Sequence, residues 1–270
     1  PQGGPAGCLQ AVEANGMFGG CNDADSSGVL RFLRVEYARD GVSLRGVGAR
    51  TVVERVQVNR SLGDGLSIVG GSVDLRQLFL TANGGFGLSW RAGWRGRGQF
   101  VSIQQDASGH SGGISGSNLG AAGGNFQSLP RSAPTLYNIT IIAPPVVGGP
   151  VERPALHLRQ GTSGVLRNVI VHSSATVLDL DDSSTCSPFG FVEAVSISHL
   201  VLAANGQLGS PDVDPALCEP YTSPTIEEQL LTAPATAALL VSNPSAVAAL
   251  LRNPTNLIVP DLRPRAGATF

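Results

Sequence analysis

The chain contains no lysine, so all 18 of its positive charges are arginine. Charged residues make up only 14% of the 270 residues, against roughly a quarter in soluble domains, and they nearly cancel at a net charge of −2. Without clustered basic residues there is no footprint for a phosphate backbone, which argues against nucleic acid as a partner. No run of 18 apolar residues is present, so no membrane-spanning helix is expected. Aromatics are 5% of the chain and methionine occurs once, which suits a narrow aliphatic interior. The four cysteines show neither C-x-x-C spacing nor a haem-attachment motif. The Gly-rich stretch Gly109 to Gly124 is not followed by Lys-Ser or Lys-Thr, which excludes a phosphate loop. No cofactor is expected.

What the chain has is a repeat. A short alternating pattern returns with Val35, Val56, Leu78, Phe100, Ile139, Val169 and Leu200 as its reference apolar residues. Two residues later stand Tyr37, Val58, Leu80, Ser102, Ile141, Val171 and Leu202. Three residues before stand Phe32, Val53, Leu75, Arg97, Leu136, Leu166 and Ile197. These columns, with Arg97 as the exception, are expected to point inward. The residues just before the reference position (Arg34, Arg55, Gln77, Gln99, Asn138, Asn168 and His199) are polar and are expected to face solvent. A second strand recurs at Gly41–Leu44, Gly65–Ile68 and Gly87–Trp90, and later at Ala155–Leu158 and Thr176–Leu180. Gly, Asn and Asp turns separate these strands, and no helical stretch intervenes. The pattern predicts an all-β, right-handed parallel β-helix with coils of about 22 residues. An antiparallel sandwich also has many short strands, but it does not need the same residue types at one column in every repeat.

The reading divides the chain into three parts. Residues 1–24 form an N-terminal segment tied by a disulfide, and residues 25–206 form the β-helix. Residues 207–270 form an irregular and helical cap in which Thr225–Leu231 and Ala233–Arg252 are expected to be helical. Within the β-helix, Gln104 to Ala133 is rich in Gly, Ser and Asn and is expected to leave the stack as a loop. The cysteines are read as two disulfides, Cys8 with Cys21 and Cys186 with Cys218, which implies an oxidising compartment; four buried thiols are the alternative. The chain opens on Pro1 and shows no signal peptide, so it is expected to be a processed segment or a fragment of a longer protein.

The run from Asp25 to Ala38 (DSSGVLRFLRVEYA) resembles a phrase of secreted bacterial right-handed parallel β-helix proteins of unknown function, often called lipoproteins. Further matches follow in order: Gly63-Asp64-Gly65-Leu66, Ser89 to Phe100, Pro134 to Ile141, and Leu158 to Gly164. The resemblance covers most of residues 20 to 180 and implies an extracellular or cell-surface location, without lending an activity. Those relatives carry acidic residues before and after the Trp strand. Here the corresponding stretches, Asn83 to Gly87 and Ala107 to Gly124, are almost uncharged, which implies that any calcium capacity is lost.

Two groups of candidate site residues stand out. Trp90, Arg91, Trp94, Arg95 and Arg97 combine aromatic rings with guanidinium groups, a chemistry suited to sugars, although the resemblance makes this a structural corner. Asp179, Asp181 and Asp182 offer three carboxylates in four residues, a weak calcium set for which a solvated turn is the simpler reading. No carboxylate pair recurs in one column of neighbouring coils, and His110, His157, His172 and His199 are scattered, so no catalytic residues are expected. The expected function is that of a noncatalytic secreted structural or interaction protein of the cell surface or extracellular matrix, which associates with itself, as a subunit of a larger assembly or filament, or with other surface proteins. A glycan-binding module and a polysaccharide lyase or hydrolase are the alternatives.

Overall fold

The computed structural model describes residues 11–13, 16–105, 112–118, 126–143, 154–186, 195–203, 205–210, 225–241, 251–253 and 261–266. A hairpin of β1 (Ala11–Glu13) and β2 (Gly16–Phe18) precedes the stack. The coils then alternate between two parallel sheets. The eight-stranded sheet holds β3 (Val29–Glu36), β5 (Val52–Asn59), β7 (Asp74–Thr81), β9 (Arg97–Gln104), β11 (Thr135–Ile142), β13 (Gly164–His172), β15 (Val195–Ala203) and β17 (Ala238–Val241). The seven-stranded sheet holds β4 (Val42–Arg45), β6 (Leu66–Val69), β8 (Leu88–Arg91), β10 (Ile114–Gly116), β12 (Pro154–Leu158), β14 (Thr176–Leu180) and β16 (Gln207–Gly209). Each strand pairs in parallel with the equivalent strand one coil away, and the result is a right-handed parallel β-helix.

Each long strand is bent. Phe32, Arg55, Gln77, Phe100, Asn138, Asn168, His199 and Ala237 occupy one column, and all have left-handed backbone, with φ between 49° and 61°. The residues before and after this column pair in register, so the left-handed residue is a corner that turns the chain. This explains why inward columns lie three residues before and two residues after the reference position. The corner resets the period of two.

It also corrects the column assignments. The structural reference column is Leu33, Val56, Leu78, Val101, Ile139, Val169 and Leu200. In the first coil the true position lies two residues before Val35, and in the fourth it lies one residue after Phe100. Phe32 and Phe100, expected inward and at the reference position, stand instead at the corner, 74% and 44% exposed. The exception at Arg97 disappears, because the inward residue is Gly98. A Cβ there would collide with Leu136 of the next coil, so the leucine fills the space that glycine leaves.

The interior is one continuous core built from the inward columns of both sheets. Fully burying one such aliphatic side chain contributes roughly 1.5–3 kcal/mol. Gln104 to Ala133 does not leave the stack entirely. Its segment Ile114–Gly116 is β10, which pairs with β8 on one side and β12 on the other.

The stack also runs beyond residue 206, through β16 and β17. Ala238–Val241, expected to be helical, is a strand paired with Leu200–Ala203. A short helix α1 (Ser183–Cys186) follows β14, and α2 (Ile226–Thr232) covers the C-terminal end of the core with Leu231 buried. The start of α2 is a capping box: Glu228 N–H donates to the Thr225 hydroxyl and Thr225 N–H donates to the Glu228 carboxylate. Glu227 Oε1 accepts the Leu180 amide at 3.2 Å, tying α2 to the end of β14. A final hairpin, β18 (Leu251–Asn253) with β19 (Asp261–Pro264), brings Leu251 against Ile142, Val201 and Ala203. Among the described residues no helix is long and apolar enough to cross a membrane.

Candidate functional site

The tryptophans are part of the core. Trp90 is 2% exposed and Trp94 0%, and their rings pack 5.8 Å apart at a tilt of 55°. Trp90 Nε1 donates to Thr162 Oγ1 at 3.0 Å and Trp94 Nε1 donates to the Val73 carbonyl at 3.1 Å. Gly116 sits in register with Trp90 one coil on, and only the absence of a Cβ there leaves room for the indole. Neither ring can stack on an external sugar. Arg91 is half-buried. Arg95 reaches Asp23 at 3.4 Å, and Arg97 donates through Nε to Asp74 at 3.1 Å. The group expected to bind a glycan is therefore a packed corner with ion-paired arginines on its rim.

The three aspartates also separate. Asp182 lies at a left-handed corner of its own, φ 63°, where it accepts hydrogen bonds from Gln160 N–H and the Ser184 and Thr185 hydroxyls. Asp179 instead faces His157. The outward column of the seven-stranded sheet reads Ser43, Ser67, Ser89, Ser115, His157 and Asp179, in register across six coils. His157 Nε2 lies 2.7 Å from Asp181 Oδ2 and 3.6 Å from Asp179 Oδ2. The Phe86 ring packs beside the imidazole at 5.9 Å. The hydrogen bond from His157 holds the Asp181 carboxyl below the usual carboxylate range, outweighing burial, and the nearby Arg159 adds to the effect.

A second feature lies on the opposite strands. The bend of the eight-stranded sheet forms a groove of about 610 Å³ along the solenoid axis. Its floor is the corner column Phe100, Asn138, Asn168 and His199, with Ser102, Thr140 and Ile170 beside it. Asn168 Nδ2 donates to Asn138 Oδ1 at 3.1 Å, which orients the two amides as a ladder. Asparagine tolerates left-handed backbone better than other L-residues with side chains, and that is the signal in the sequence for this column. Phe100 gave no such signal.

Residues 7–214 match the model of the pectate-lyase-like beta helix domain. The chain belongs to that family. No curated protein and no solved structure matches it. Cys21 is disulfide-bonded, and no described cysteine is free. Cys8 and Cys218, like His110, lie outside the described residues, and the side chain of Cys186 does too, so the expected pairings stand as expectations. Family membership is compatible with roles at a surface or on polysaccharides.

Proposed function

We propose that the protein is a noncatalytic, extracytoplasmic interaction module that binds polysaccharide in the corner groove of the eight-stranded sheet. The observation that carries this reading is the groove itself: an exposed aromatic ring, an oriented amide ladder and a histidine line up one per coil. Rungs about 4.8 Å apart give a row of hydrogen-bonding groups beside an apolar face, the combination that sugar rings require. The described lining residues include no carboxylate, so the paired acids of a glycosidase are missing from this groove. The disulfide at Cys21 supports an oxidising compartment. Affinity electrophoresis against a panel of soluble polysaccharides tests the reading. One polymer should retard the wild type, and Phe100→Ala and Asn168→Ala should each weaken retardation by about tenfold, equivalent to roughly 1.4 kcal/mol. Equal mobility of wild type and variants in every polymer overturns it.

Self-association is a second reading, favoured by the N-terminal rung. Among the described residues β3 and β4 are paired on one side only, and the inward Leu30, Leu33 and Val35 are only half-buried. A second copy that docks edge to edge on this rung, N-terminal end to N-terminal end, forms an isologous dimer. Sedimentation equilibrium should show a dimer that Leu33→Glu dissociates; a wild-type monomer at high concentration rejects this reading.

A further inference from the structure

We propose that His157, Asp179 and Asp181 form a binding site for a single divalent transition-metal ion on the outward face of the seven-stranded sheet. The three side chains each bring one ligand atom, and these atoms lie within 4.8 Å of one another. They come from two adjacent coils whose register is fixed by the sheet, since His157 and Asp179 are paired residues of β12 and β14. Asp181 follows directly from the end of β14. The site is therefore assembled by rigid backbone rather than by a flexible loop.

The spacing fits a metal. With metal–ligand bonds of about 2.0–2.1 Å in a tetrahedral site, neighbouring donor atoms are about 3.4 Å apart. The observed separations from His157 Nε2, 2.7 Å and 3.6 Å, lie on either side of that distance. The Asp181 carboxylate is half-exposed, which leaves it free space to move from 2.7 Å toward that separation. Nε2 is the ring atom turned toward both carboxylates, and it is the atom through which a neutral imidazole takes a cation. The Phe86 ring beside the imidazole restricts its rotation.

One nitrogen with two carboxylate oxygens selects among cations. Calcium prefers six to eight oxygen ligands, and imidazole suits zinc and its first-row neighbours. Three protein ligands leave a fourth position for water or for an oxygen of a bound molecule. This site lies outside the groove proposed for polysaccharide and does not depend on it.

The test uses the full chain stripped with chelator. Co²⁺ is titrated while its visible spectrum is followed, and Zn²⁺ and Ca²⁺ are titrated by calorimetry. The expected result is one equivalent of Co²⁺ or Zn²⁺ bound, with Ca²⁺ at least tenfold weaker and the melting temperature raised by Zn²⁺. Loss of groups that merely orient a ligand weakens metal affinity by about 10–100-fold, so His157→Ala and the near-isosteric Asp181→Asn should each weaken it by about 100-fold or more. Both variants are checked for the wild-type circular dichroism spectrum. Absence of saturable Co²⁺ and Zn²⁺ binding, tighter binding of Ca²⁺, or undiminished binding by folded Asp181→Asn each overturns the assignment and leaves His157 and Asp181 as a simple hydrogen-bonded pair.

Discussion

Replacing Trp94 with alanine separates the packing role of the tryptophans from a ligand-binding role. Trp94 is fully buried, touches Trp90, and donates its indole N–H to the Val73 carbonyl. Truncating such a side chain typically costs about 3–5 kcal/mol, because the transfer free energy is lost and a cavity remains. The orphaned carbonyl and the lost ring pair place Trp94→Ala in the upper part of that range. Total stabilities are about 5–15 kcal/mol, so the loss is a large share of the whole. With about 2–4 °C per kcal/mol for chains of this size, the melting temperature should fall by roughly 10 °C or more, followed by far-ultraviolet circular dichroism. Phe100→Ala is the counterpart. Its ring is half-exposed, so the variant should melt within about 1–2 °C of wild type, as surface changes of about 0.5 kcal/mol do, while polysaccharide retardation weakens about tenfold. An unchanged melting temperature for Trp94→Ala together with lost sugar binding would refute the reasoning, since it would make the buried corner the binding site.

Three further outcomes follow from the same contacts. Glu227→Ala leaves the Leu180 amide without its acceptor inside the capped end, which should cost about 1–3 kcal/mol and speed hydrogen exchange at Leu180 before exchange rises in the central coils. Asn168→Val places a β-branched residue at φ 56°, so it should lower the free energy of unfolding in urea by about 1–2 kcal/mol, whereas Asn168→Gly should retain most of it. Stability should fall with acid in two stages. Burial pushes the His172 imidazole below its ordinary value, so its contribution is present above that value and is lost as pH falls from there through the depressed folded one. The Asp181 carboxyl is likewise depressed, by His157, and its contribution is lost further down, as pH falls through its folded value. Urea midpoints against pH should show the first stage vanish in His172→Leu and the second in Asp181→Asn.

The β-helix was legible because inward columns repeat in kind as well as in polarity: Val53, Leu75, Leu136, Leu166 and Ile197 hold one position in five coils. The capping box was written locally in Thr225 and Glu228. The corner was legible only in part: polar residues fill most of its column and Asn138 and Asn168 suit left-handed backbone, but a corner residue shifts the strand period by one, and Phe32 and Phe100 then look like core residues. Ile114–Gly116 and Ala238–Val241 did not show as strands either. Each is short and carries weak or helical propensity alone, and each becomes a strand only because a formed coil offers a row of backbone partners. In both cases tertiary pairing overrides local preference.

The same geometry explains why the His157 cluster leaves no motif in the sequence. In a solenoid, neighbours on a face come one from each coil, so side chains in contact are separated by a full turn of chain. His157 and Asp179 are adjacent in the sheet yet look unrelated along the sequence, and the three aspartates that look like a cluster are divided by the corner at Asp182. The signal that unites the true set is positional. Leu156-His157-Leu158 and Leu178-Asp179-Leu180 are the same strand one coil apart, with the polar residue outward between two core leucines. Once coils are aligned by their corners, a polar residue in an outward column can be read against the one above it, and carboxylates that face a histidine across a rung become visible in the amino-acid sequence. By that criterion the serines at positions 43, 67, 89 and 115 are the uncharged continuation of the column. The face therefore changes from hydroxyl to imidazole and then to carboxylate over two successive rungs, which confines the proposed metal chemistry to the coils of β12 and β14.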